Sequence, residues 1–83
     1  MTGIKEDSAF YAEYCELTEK LRQKIKQLRQ EKAYTQEQME AFELSLRQFQ
    51  RIEHGETTNI TLSNLFRIAK AFGITPKELL DID

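Results

Sequence analysis

Residues 35–55 read TQEQMEAFELSLRQFQRIEHG, and the reading of this stretch decides the fold. Thr35 and Ser45 each stand three positions ahead of a glutamine, Gln38 and Gln48. That is the capping-box spacing: the hydroxyl accepts a bond from an orphan amide in the first turn while the glutamine reaches back. Helices are therefore expected over about 36–42 and 46–54, the second stopped by Gly55 in a left-handed conformation. Only Glu43 and Leu44 separate the first helix from the cap Ser45. Two short helices joined so tightly must cross steeply, which is a helix-turn-helix.

Successive residues of the second helix turn by about 100°. With Phe49 pointing inward, Leu46, Ile52 and Glu53 fall within about 60° of it, given that rotation. Arg47 and Arg51 then lie near the opposite side, flanked by Gln50 and His54. One face anchors the helix and the other carries long hydrogen-bonding side chains. Glu53, on the inward side, is expected to bond neighbouring backbone or Arg29.

Outward from this stretch the chain continues as helices. No glycine or proline interrupts residues 8–32, and Phe10, Tyr14, Leu17, Leu21, Ile25 and Leu28 form a stripe at helical spacing, as one helix or two with a break near Thr18. Downstream, Leu62, Leu65, Phe66, Ala69 and Phe72 form a second stripe entered through Thr61 and closed by Gly73. Thr75, Pro76 and Glu78 open a last short helix. The expectation is an all-α fold of five helices, about 8–32, 36–42, 46–54, 62–72 and 76–81.

Bulk properties set the class. Eighty-three residues make one small core. No apolar run approaches the ~18 residues of a membrane span, and the N-terminus lacks the apolar region of a signal peptide. The expected location is the cytoplasm. One cysteine and one histidine exclude an internal disulfide and a zinc finger. No nucleophile–base pair, metal cluster or phosphate-binding glycine loop is legible, so neither an enzyme nor a cofactor is expected. The formal net charge of −2 hides an asymmetry: residues 1–19 carry −4 and residues 20–34 carry +5. Local charge governs contact with phosphates more than the total does.

Three segments carry a resemblance: IKQLRQEKAYTQEQM (25–39), RIEHG (51–55) and LSNLFRIAKAFGITPKELL (62–80). Together they resemble the Cro/C1-type (XRE) family of helix-turn-helix transcriptional regulators, whose fold is lambda-repressor-like. The likeness runs from about Leu21 to Leu80. Residues 1–20 then form an N-terminal helical extension, a possible dimerisation element, and residues 21–83 the DNA-binding domain. The segment between the two helices of the motif is one residue shorter than the commonest family pattern. Glu43 stands where a turn glycine is usual, and Glu56 where a basic residue is frequent.

What the resemblance implies is sequence-specific binding of double-stranded DNA, with helix 46–54 in the major groove. Arginine reads guanine bidentately and glutamine pairs with adenine, so Arg47, Arg51, Gln50 and Leu46 are the expected base contacts. Gln36 is implied as a phosphate contact, with Ser45, Gln48, Thr57, Thr58 and Asn59 as further donors to the DNA backbone. Such regulators usually pair on two half-sites, which makes a homodimer the expectation. The N-terminal stripe and the apolar end ELLDID (Leu79, Leu80, Ile82) are the candidate surfaces. An alternative on the same fold is an antitoxin-like or scaffold module with weak DNA binding, meeting a protein partner through acidic Glu37, Glu40 and Glu43.

Overall fold

A computed structural model describes residues 4–56 and 60–82. It consists of α1 (Tyr11–Glu31), a 3₁₀ helix (Glu37–Phe42), α2 (Leu46–Glu53), α3 (Leu62–Phe72) and α4 (Pro76–Leu79). No strand occurs among the described residues. α1 runs unbroken past Thr18 and across residue 20, so the extension and the rest of the domain share one helix. It begins at Tyr11, after a turn in which the Ser8 hydroxyl accepts from the Phe10 amide.

The caps form where the hydroxyls stand. Thr35 and Gln38 exchange both bonds of a capping box, at 2.7 and 3.1 Å. Ser45 accepts from the Gln48 amide at 3.1 Å, and Thr75 closes a full box with Glu78. The segment after Thr35 is a 3₁₀ helix rather than the expected α-helix: Gln38, Met39 and Glu43 donate to carbonyls three residues back. This form rises about 2.0 Å per residue against 1.5 Å in an α-helix.

Glu43, at φ 66°, adopts the left-handed turn conformation without being glycine. α1 ends in the same way on Ala33 (φ 58°), where the amides of Ala33 and Tyr34 bond back to Gln30 and Arg29. Gly55 (φ 74°) and Gly73 (φ 70°) stop α2 and α3 by the same geometry. The two glycines differ in their surroundings. A Cβ on Gly55 would lie 3.3 Å from the Arg22 side chain, whereas one on Gly73 would meet nothing within 4 Å. Gly73→Ala is therefore expected to cost only the left-handed strain, about 1 kcal/mol. Gly55→Ala should cost more because it also displaces Arg22, and urea denaturation of the two variants checks the order.

The core gathers Leu21 and Ile25 from α1, Met39 and Leu44 from the first part of the motif, Phe49 and Ile52 from α2, Leu65, Ile68 and Phe72 from α3, and Leu79 from α4. α3 departs from the stripe read in its sequence. Ile68 and Ala71 face inward, while Leu62 is 74% exposed and Phe66 51%. The apolar residues of this helix cover more than one face, and the inward axis follows the larger set from Leu65 to Phe72. At the C-terminal end Leu79 is buried and Ile82 packs on the core, which leaves Leu80 of the expected ELLDID surface.

Candidate nucleic-acid interface

α2 is held from behind by a buried carboxylate. The Glu53 side chain is 1% exposed and receives Arg29 in bidentate fashion, Nε to Oε2 at 2.6 Å and NH2 to Oε1 at 2.9 Å. A charge taken out of water is tolerated only when paired and hydrogen-bonded. Burial alone would raise the Glu53 pKa, but the bonds from Arg29 and Gln36 outweigh it and hold the carboxyl below the usual carboxylate range. Arg29 also donates to the Tyr34 carbonyl at 2.8 Å, so one guanidinium ties α1, its following turn and α2 together.

From that carboxylate the bonding continues outward. Gln36 Nε2 donates to Glu53 Oε1 at 2.8 Å, and Gln36 Oε1 accepts from Gln50 Nε2 at 3.2 Å. Gln36 Nε2 also lies 3.5 Å from His54 Nε2. The two helices of the motif are thus joined through two amides at the place where the sequence expects DNA contacts.

The other expected base contacts have simpler surroundings. Arg47 and Arg51 are exposed, on the side opposite Phe49, and among the described residues neither forms an ion pair. Leu46 is half-buried at the first position of α2. Ser45 and Gln48 are exposed at the helix start, where their local bond forms the cap. Gln36, Leu46, Arg47, Gln50 and Arg51 share the region of the motif. Thr57, Thr58 and Asn59 lie outside the described residues.

The basic run 20–34 does more than form a solvated face. Arg22 donates to the Glu53 carbonyl at 3.0 Å, capping the C-terminal end of α2, and pairs with Glu19. Lys24 Nζ donates to the carbonyls of Glu78 and Asp81 at 2.6 and 2.7 Å, closing the end of α4. A cation at a helix C-terminus complements the helix dipole. Sequence reasoning missed these clamps because their partners are main-chain carbonyls 31 to 57 residues away. It also missed that Leu62 and Phe66 are exposed, because their i,i+4 spacing is that of core residues as well. Among the described residues no helix is long and apolar enough to cross a membrane, and no three His, Cys, Asp or Glu side chains gather as a metal site.

Comparison with known proteins bears on the family of the chain. A helix-turn-helix family model matches residues 25–79. The chain is 41% identical over 61 residues to Control protein C.BamHI of Bacillus amyloliquefaciens, a span covering 71% of this chain and 74% of that protein. No solved structure is matched significantly. With its all-α architecture, paired short helices and solvent-facing arginines, the chain belongs to the Cro/C1-type (XRE) helix-turn-helix family of DNA-binding transcriptional regulators.

Proposed function

We propose that this regulator binds a specific double-stranded operator with α2 in the major groove, as a homodimer on two half-sites. One observation carries the reading: Arg47 and Arg51 stand exposed on the outer face of a helix whose inner face is fixed by Phe49, Ile52 and the buried Glu53. Arg47, Gln50 and Arg51 address base edges, and Leu46 lies against a thymine methyl. Ser45, Gln48 and the main chain at Gln36 approach phosphates, together with Thr57, Thr58 and Asn59.

Selection of bound duplexes from a random pool tests this. Arg51→Ala is expected to lose preference at one base pair, by about 1–3 kcal/mol. A variant that weakened every sequence by the same factor would assign Arg51 to phosphate instead. Failure to enrich any duplex at low salt would overturn the DNA-binding reading itself.

Dimerisation follows from discrimination. Three or four contacts read too little sequence alone, and two recognition helices about 34 Å apart read twice as much. The pairing surface we assign is the start of α3, where Leu62 and Phe66 border Ala41 and Phe42. Its charges are of both signs: Glu43 pairs with Arg67, and Lys70 lies 5.5 Å from the Phe66 ring centre. A two-fold contact places each patch against its own copy, which mixed charges allow. The exposed Phe10 and Leu17 sit instead in a segment of net charge −4, where two copies repel.

A further inference from the structure

Arg22, Lys26 and Arg29 stand at i, i+4 and i+7 of α1, along one side of the helix. Two of the three meet a single residue of α2: Arg22 donates to the Glu53 carbonyl and Arg29 holds its carboxylate. Lys26, between them, is exposed and forms no hydrogen bond or ion pair among the described residues. Its charge nevertheless reaches Glu53. Burial raises the Glu53 pKa, the bonds from Arg29 and Gln36 overcome this, and Lys26 adds in the lowering direction. No oxygen is left there for Lys26 to pair with, since the buried carboxylate already accepts from Arg29 and Gln36. The neighbouring acid Glu19 is held by Arg22 and Gln23.

The helix rotation places this cation. At about 100° per residue, the order around α1 from the buried Leu21 and Ile25 is Arg29, Arg22, then Lys26. The first two reach α2, and Lys26 stands about 40° further round, past α2 and away from the core. That is the side on which α2 exposes Arg47 and Arg51. We infer that α1 is a further DNA-contacting element, with Lys26 as its contact to a phosphate of the strand flanking the groove that holds α2. This rests on the DNA-binding reading above and deepens it. A lysine ammonium is a compact point charge suited to phosphate, and such a contact fixes register without reading sequence. The clamps made by Arg22 and Arg29 hold α1 against α2, so Lys26 and the recognition helix approach the duplex as one body.

The test uses the full chain and a duplex carrying one half-site, selected from a random pool, across a salt series. Lys26→Ala is expected to bind it about 5- to 10-fold more weakly at 0.1 M salt and to flatten the log–log salt slope by about 0.9. Base preference, helicity and thermal midpoint should match the wild type, because no bond within the protein is lost. Lys20→Ala removes the same charge from the same helix, about 120° away around its axis, and should leave the slope unchanged. Single methylphosphonates, which are neutral, are then scanned in place of each phosphate. One position should weaken the wild type and leave Lys26→Ala indifferent. An unchanged slope, an equal loss in Lys20→Ala, a shifted base preference, a lowered thermal midpoint or the lack of such a position would each overturn the inference. Failure of the wild type to bind any duplex at low salt would overturn the DNA-binding reading, and this contact with it.

Discussion

Glu53→Ala is expected to destabilise the domain by about 3–5 kcal/mol, the usual cost of removing one partner from a buried ion pair. The Arg29 side chain, 14% exposed, would keep its charge and lose both bonds to the carboxylate. A domain of this size has a total stability of only about 5–10 kcal/mol, so the variant should be partly unfolded at 37 °C. Arg29→Met should be comparably damaging because it strands the carboxylate. The double variant Arg29→Met/Glu53→Met should be milder than the sum of the two, a non-additivity that denaturation of the four proteins measures directly. Acid tests the same pair. Because the folded Glu53 pKa is lowered, its contribution is complete above the ordinary carboxylate value of about 4.3 and is lost as pH falls through the folded value. The wild type should therefore lose stability on acidification below that range, and Glu53→Gln should lose less over the same interval.

Phe66→Glu is expected to abolish dimerisation without unfolding the chain, since the side chain is already half exposed and leaves no cavity. Sedimentation should show a monomer with unchanged helicity. Affinity for a duplex with two half-sites should fall by about 10²-fold or more, the advantage that coupling two binding events confers. Binding to a single half-site should barely change. Leu17→Glu, on the acidic part of α1, should leave both properties alone. Monomerisation by Leu17→Glu and not by Phe66→Glu would move the pairing surface to the N-terminal extension.

Much of this organisation was legible in the chain because it is local. Thr35, Ser45 and Thr75 announce helix starts through bonds made within three residues, and Gly55 and Gly73 announce stops through their permitted φ. Glu53 on the inward face of α2 pointed to a buried partner, and Arg29 is that partner. The unread features depend on tertiary placement. Ala33 and Glu43 take left-handed conformations that neither residue type signals. The inward axis of α3 depended on which helices it meets, and Leu62 and Phe66 could not be told from core residues by spacing alone. The Gln36–Gln50 link joins residues 14 apart on different helices, so no periodicity within one helix reveals it.

The clamps made by Arg22, Lys24 and Arg29 also bear on how the protein searches a genome. Nonspecific attraction to DNA grows with the number of phosphates a protein neutralises, each contributing about −0.9 to the log–log salt slope. Three of the six cations in residues 20–34 have their hydrogen bonds directed to helix ends and a carboxylate. Fewer of these long side chains are left to reach along the DNA backbone. Bulk DNA is then expected to retain the protein weakly, which a shallow salt dependence of nonspecific binding would show. Occupancy of an operator would follow the protein's own concentration closely.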